Sequence, residues 1–403
     1  MLTYDQARRK VIEVVKTGLQ PLPAESLSLE RALGRVLTQE ISADRDYPPF
    51  DRAIRDGYAV RASEAQPGAS LHCVREIKAG DPAGEPLPPG TCAQVMTGAP
   101  VPPGADAVVM IEHTRREENW ILFESPIASG QHIVQRGAEA RAGQSLLSAG
   151  TRLGYAELAL AAQVGAVHPQ VSKRPRIGIL STGDEIVSAA ELPGPFQIRN
   201  SNAYSLQAQV ALAGGDPIVL GNARDDQDDQ RSYMTAGHDC ASLLLSGGVS
   251  AGKYDLVELV LKDLGAILHF DSVAIRPGKP VVFATYGNTF VFGLPGNPVS
   301  TMVTFELFVL PAIDLLSGAP PRPLALLEAR LAEPLLEKPG LAHFLPARLD
   351  WRQGVPEVRP IHWQGSGDIV AVAKSNCLLH IPAEKEKLSA GEMVSVLPRR
   401  DLI

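Results

Sequence analysis

Residues 176–186 read RIGILSTGDEI, an apolar run without charge from Ile177 to Leu180 that empties into Ser181, Thr182, Gly183, Asp184 and Glu185. A strand that is apolar on both faces belongs to a parallel sheet with helices on either side. Two more segments repeat the arrangement. ASLLL at 241–245 runs into Ser246, Gly247, Gly248, Val249 and Ser250, and VFGL at 291–294 runs into Pro295, Gly296, Asn297, Pro298, Val299 and Ser300. Between them lie NAYSLQAQVALAG, PIVL, a polar helical stretch after Asp225, YDLVELVLKDLG, PVVFAT and TFVFGL. This alternation predicts βαβ units and a doubly wound, mostly parallel sheet across residues 173–318.

Outward from that core the texture changes. At 403 residues, the chain exceeds what one hydrophobic core holds, and 36 glycines with 33 prolines predict tight connections rather than an all-helical bundle. Thr3 and Gln6 form a capping-box pattern ahead of Ala7, Val11, Val14 and Val15, and a second helical pattern runs from Tyr155 to Val164. Short β-type runs such as LHCVREI, AQVM, AVVMIE and WILFE sit among Pro/Gly clusters from 44 to 140, and β-type runs return in ALLEARL, FLPARLDW, DIVAVA and MVSVLP. The expected organisation is an α/β class with β domains. A discontinuous helical linker domain takes 1–43 and 141–172, a small β domain 44–140, the α/β domain 173–318 and a C-terminal β domain 319–403.

A net charge of −7 leaves no broad cationic surface for nucleic acid or an anionic membrane. Cys73, Cys92, Cys240 and Cys377 form no C-x-x-C pair, and the nine histidines form no cluster, so a zinc or imidazole-built site is not expected. The apolar stretch Val299 to Leu316 is interrupted by Glu306, Pro311 and Asp314 and reads as a buried helix. With no signal-peptide pattern in MLTYDQARRK, the expected location is the cytoplasm.

In a parallel sheet, ligands bind outside the carboxyl ends of the strands, where loops entering helices offer N–H groups and positive dipole ends to anions. Any one of the three loops could be a structural cap alone; three in one domain favour a phosphate or oxyanion ligand. Arg276-Pro277-Gly278-Lys279-Pro280 adds positive charge, or is simply a basic turn. Asp184, Glu185, Asp225, Asp226 and Asp255 supply carboxylates of the kind that hold Mg²⁺, with Asp228 and Asp229 read as a solvated helix start. Asp56 and Thr97, each beside a glycine, read from composition as turn formers. Neither a P-loop nor a dinucleotide fingerprint is present.

DGYAV, MTGAPVP, STGDE, SGGVSAGKYD, PGKP and GLPGNPVS, in that order from Asp56 to Ser300, resemble the molybdopterin molybdenumtransferase family, MoeA and the gephyrin E domain. The likeness extends over nearly the whole chain, to Lys374-Ser375-Asn376-Cys377. It implies an elongated homodimer that turns adenylylated molybdopterin and molybdate, with Mg²⁺, into molybdenum cofactor and AMP, in contact with other proteins of that biosynthesis. Glu185, Asp255, and Asp226 or its neighbour Asp225, then resemble the metal or substrate set, and Lys279 with Arg276 the oxyanion ligands. Glu139, Ser181, Thr182, Gly183, Asp184, Ser246, Gly247, Gly248, Ser250, Pro295, Gly296, Asn297, Pro298 and Ser300 then resemble substrate-binding residues, while Asp56 and Thr97 resemble residues facing the partner subunit's site.

The chain also departs from the family pattern. Glu139 in RGAEA stands where an Asp is usual, Arg276 where many members have Lys, and Arg52-Ala53 where Asn-Ser is usual; Arg55 replaces an apolar residue. Ser272 and Leu341 occupy positions that are basic in some members, which opens a second reading, a weakened pterin-binding or scaffold paralogue.

Overall fold

The structure is a computed structural model that describes residues 1–248 and 256–402. Its central sheet has the spatial order Asp216–Ala223, Arg176–Thr182, Ser242–Ser246, Thr289–Leu294, Pro280–Tyr286, Ile267–Ser272. The first four strands run parallel, and Pro280–Tyr286 alone is reversed, pairing antiparallel with both its neighbours. From Arg176–Thr182 the chain moves outward to Asp216–Ala223, then returns to pair Ser242–Ser246 on the other side. Strand order therefore reverses between Arg176–Thr182 and Ser242–Ser246, the place where open α/β sheets leave a crevice.

Both faces of this sheet are covered, as the uninterrupted apolar strands require. One face packs Ile177, Ile179, Leu244 and Phe292 under Leu206 and Val210 of helix Asn202–Ala213 and Phe305 of the later helical stretch. The other packs Leu180, Leu243, Leu245 and Val291 under Met234 of Gln227–Ala236 and Val257 of Leu256–Asp263. The opening helix Tyr4–Gly18 has both halves of its capping box, Gln6 N donating to Thr3 Oγ1 at 3.3 Å and Thr3 N to Gln6 Oε1 at 3.0 Å. Sequence grouped this helix with 141–172, but Ala7, Val11 and Val15 are buried in the α/β core instead.

Residues 298–316 form one helical stretch, α from Pro298–Thr304, π over Phe305–Val309 and α again over Leu310–Leu316. Pro311 has no N–H to give the carbonyl of Leu307 four residues back. Arg8 Nη1 supplies the missing donor to Leu307 O at 2.8 Å, tying the opening helix to this one. Long and apolar enough to cross a membrane, the stretch is 89% buried inside the protein, which fits a core helix.

Residues 57–123 contain a six-stranded mixed sheet in the order Ala107–Met110, Gly57–Val60, Thr91–Val95, Ser70–Ile77, Trp120–Phe123, Thr114–Glu117. Ala24–Ser26 pairs antiparallel with Gln170–Ser172, and Ile41–Ser42 with Ser145–Leu147, so distant segments close one small linker around Leu37, Leu153 and Val171. Near the C-terminus, Ala342–Arg352, Val355–Pro360, Leu327–Leu331, Met393–Pro398 and Cys377–Ile381 pair in a ring that closes back on Ala342–Arg352. This five-stranded barrel has no open edge among those strands, a solution to the edge problem of small sheets. DIVAVA, read as a strand, is instead helix Ile369–Lys374: Asp368 caps it by accepting from Ala371 N at 3.1 Å, a side-chain bond that outweighs local β propensity.

Candidate functional site

The three glycine-bearing loops meet at the reversal of strand order. Gly247 has φ +107°, and a Cβ there would fall 2.6 Å from Thr182 O and 2.8 Å from Thr182 Oγ1, so the second loop lies directly on the end of the first strand. The third loop is joined to the second through Asn202, the first residue of helix Asn202–Ala213. Its Nδ2 donates to Ser246 Oγ at 2.8 Å and to Gly296 O at 2.7 Å. Because a carbonyl can only accept, the Gly296 contact also fixes which end of the Asn202 amide is nitrogen.

Two more asparagines repeat this role. Asn200 Nδ2 donates to Ser181 Oγ at 2.8 Å, and Asn222 Nδ2 to Gly183 O at 3.1 Å and Ile186 O at 3.3 Å. Sequence reasoning missed all three asparagines. The available signal was their place just before a helix or at a strand end, where an amide side chain meets exposed backbone groups. Some loop amides expected to face an anion are used internally: Gly183 N donates to Ala223 O at 3.1 Å, Gly247 N to Leu294 O at 3.1 Å and Val299 N to Ser366 O at 3.0 Å.

Three buried acceptors at these strand ends have no partner among the described residues: Thr182 Oγ1, Asn202 Oδ1 and Asn222 Oδ1. Seven other side-chain atoms among the described residues, such as those of Thr38 and Gln230, are also unpaired; these three lie on two adjacent strands and on the helix start that ties the second and third loops. Leaving such a group dry costs about 1–3 kcal/mol each, so a ligand bringing donors is favoured here. Ser246 and Ser300 are buried nearby, Pro298 opens its helix, and Asn297 donates Nδ2 to Ser366 Oγ at 2.8 Å.

The acidic corner adjoins the first loop. Asp184 Oδ1 accepts from Asp225 N at 3.3 Å, and Asp226 Oδ1 caps helix Gln227–Ala236 by accepting from Asp228 N and Asp229 N, both at 3.0 Å. Asp184, Glu185, Asp225 and Asp226 are exposed. The described residues contain no group of three His, Cys, Asp or Glu side chains close enough to cage a metal. Exposed carboxylates are nevertheless hard oxygen donors suited to Mg²⁺, which commonly keeps waters and takes one or two carboxylates plus substrate phosphates. Ser250 and Asp255 lie outside the described residues.

The RPGKP segment is not a simple turn. Ile275–Arg276 pairs with the C-terminal barrel, whereas Pro280–Tyr286 belongs to the α/β sheet, so the segment steps from one domain to the other. A Cβ on Gly278, at φ +104°, would lie 2.6 Å from Thr304 Cγ2. Lys279 is exposed, and Arg276 Nη1 donates to Glu337 Oε2 at 3.4 Å.

Asp56 and Thr97 also meet, though they are 41 residues apart. Asp56 Oδ1 accepts from Thr97 N at 2.6 Å and from Thr97 Oγ1 at 2.8 Å, and both residues are exposed. The backbone N–H of Thr97, with its hydroxyl, holds the Asp56 carboxyl below its ordinary range. No hydrogen bond or ion pair among the described residues joins 44–140 to 173–318, so none ties this pair to the strand-end crevice of its own chain. Glu139 pairs instead with Arg52 at 2.8 Å, so two departures from the family pattern meet each other.

Two grooves lie elsewhere, about 440 Å³ beside Lys10, His269 and Phe290 and about 510 Å³ beside Arg330, Arg352 and Glu357. Neither gathers strand ends, helix starts and unpaired buried acceptors, so the crevice is the stronger site. Cys73 and Cys92, distant in sequence, are register partners on adjacent strands. The Cys92 thiol donates toward Cys73 and lowers its pKa, while burial raises that of Cys377 to about 12.

Comparison with known proteins agrees with this geometry. Residues 2–165 match the MoeA N-terminal region (domain I and II), 178–315 a probable molybdopterin binding domain, and 328–398 the MoeA C-terminal region (domain IV). A molybdopterin molybdenumtransferase of Haemophilus influenzae is 33% identical over 100% of both chains. One from a Nostoc species is 36% identical over 93% of this chain and 88% of its own. The crystal structure of a molybdopterin biosynthesis moeA protein from Pyrococcus horikoshii OT3 superposes with a TM-score of 0.81 at 29% identity, over 99% of this chain and 100% of that one. The order of motifs, the sheet with its strand-end crevice and full-length relatives together place the chain in the molybdopterin molybdenumtransferase family.

Proposed function

We propose that the chain inserts molybdenum from molybdate into adenylylated molybdopterin with release of AMP, in the cytoplasm, as a homodimer. The observation that carries this reading is the crevice at the switch point, where Thr182 Oγ1 and Asn202 Oδ1 are buried between three glycine-bearing loops without donors among the described residues. A pterin carries N–H donors, and those two acceptors suit them.

The reaction asks for placement and charge stabilisation rather than a covalent enzyme intermediate. Ser181, Ser246, Gly248, Asn297 and Ser300 line the strand ends that would orient the pterin. Lys279 and Arg276 offer donors to molybdate or phosphate oxygens. Glu185, Asp225 and the uncommitted oxygen of Asp226 would hold Mg²⁺ together with substrate phosphates, with Asp255 as a further candidate. Bound there, Mg²⁺ would offset charge that develops on the departing AMP phosphate. Asp56, kept ionised and oriented by Thr97, would reach this site from the second copy of the chain.

The test is direct. Purified chain incubated with adenylylated molybdopterin should release AMP only when molybdate and Mg²⁺ are both present, and Lys279→Ala should keep the fold while losing release. No release by the wild-type chain overturns the proposal.

A further inference from the structure

Arg276 is treated above as an oxyanion ligand, yet in the structure its guanidinium is engaged by the C-terminal barrel. Arg276 stands opposite His343 where Ile275–Arg276 pairs parallel with Ala342–Arg352. Its Nη1 donates to Glu337 Oε2 at 3.4 Å, and the same oxygen lies 3.1 Å from His343 Nδ1. The other ring nitrogen, Nε2, lies 3.2 Å from Lys338 O. His343 is 2% exposed and the Glu337 side chain 17%, whereas the Arg276 side chain is 53% exposed. The Nδ1 approach is a close electrostatic contact rather than an aligned hydrogen bond. Glu337 is also fixed through its backbone, its N donating to Glu386 O at 2.9 Å.

We infer that Glu337, seated on His343, is a positioning residue that aims Arg276 at the oxyanion; this rests on the reading of the crevice as a transferase site. An ion pair between two exposed side chains fixes little. Here one partner is largely buried and anchored on two sides, so the mobile arginine is brought to a fixed carboxylate. The contact is made through one nitrogen, and the other N–H groups of the fork have no acceptor among the described residues, which leaves them for a second anion. A lysine at 276 has no planar fork with which to serve a carboxylate and an oxyanion at once. The arginine at 276 and the Glu337–His343 pair thus form one unit, through which the barrel acts on a site in the α/β domain.

The experiment measures molybdate binding by calorimetry and, separately, the kinetics of AMP release from adenylylated molybdopterin. Glu337→Gln should weaken molybdate binding and raise the KM for molybdate, each by about tenfold, with kcat changed by less than about threefold. In an Arg276→Ala background the same change should have no further effect, the signature of an action through Arg276. Thermal unfolding checks the fold of each variant. Should Glu337→Gln fold poorly, Glu337→Asp keeps the charge at shorter reach and enters the same cycle. A Glu337→Gln chain that binds molybdate as tightly as wild type overturns the inference, as does an equal loss in the Arg276→Ala background or a wild-type chain that binds no molybdate. A wild-type chain that binds molybdate but releases no AMP overturns the transferase reading alone.

Discussion

The two ends of the helical stretch 298–316 hold buried polar groups in opposite states. Near its C-terminal end, Asp314 is fully buried and saturated: Oδ1 accepts from Arg152 Nη2 at 3.0 Å and Arg322 Nη2 at 2.7 Å, and Oδ2 from Arg322 N at 3.0 Å. Near its N-terminal end, Gly296 O is satisfied by Asn202, but Asn202 Oδ1 and Thr182 Oγ1 have no donor among the described residues. A saturated cluster joins parts of a chain, here the linker through Arg152 and the start of the C-terminal segment through Arg322. An unsaturated one carries an unmet cost that binding can relieve.

The sharpest way to break this contrast is to remove the saturated centre. Asp314→Ala leaves two arginines without their carboxylate and should cost about 3–5 kcal/mol in denaturant unfolding. A loss under about 1 kcal/mol would mean the cluster is not structural. Asn202→Ala acts on both sides of the comparison: it removes two loop-tethering bonds and a ligand acceptor. We predict about 1–3 kcal/mol of lost stability together with lost binding of adenylylated molybdopterin.

Thr182→Val separates the two effects, because the hydroxyl it deletes has no partner among the described residues. Stability should stay within about 1 kcal/mol of wild type or rise, while ligand affinity falls about tenfold, equivalent to about 1.4 kcal/mol. Unchanged affinity would show that the acceptor faces no ligand.

Asp56 gives the smallest effect, being hydrogen-bonded through one oxygen but exposed. Its hydrogen bonds favour the ionised form, so their contribution is present above the ordinary carboxylate pKa and lost as pH falls through the depressed one. Thr97→Ala removes the hydroxyl bond and keeps the backbone one, so an NMR titration should find the Asp56 pKa raised part of the way back. No movement would mean that the backbone bond alone sets it.

Much of the α/β domain was legible because RIGIL, ASLLL and VFGL are apolar on both faces, a pattern that solvent-facing strands do not keep. The loops they feed were legible for the same reason. What sequence concealed was pairing between distant residues. Asn202 is an ordinary helix-start asparagine until Gly296 arrives 94 residues later, and Arg52 and Glu139 are separate oddities until they form an ion pair. The opening helix was recognised from its capping box, but no local signal says which core buries Val11 and Val15. DIVAVA alternates like a strand, and only the bond from Ala371 N to Asp368 shows a helix.

The central claim is that the unfilled acceptors at the strand ends receive the pterin ligand. The most direct measurement is a crystal structure of the chain with adenylylated molybdopterin. The account predicts ligand nitrogen or oxygen atoms within about 3 Å of Thr182 Oγ1 and Asn202 Oδ1. A ligand seated in the groove beside Lys10 and His269 or the one beside Arg330 and Arg352, with both acceptors still unpaired, would contradict it.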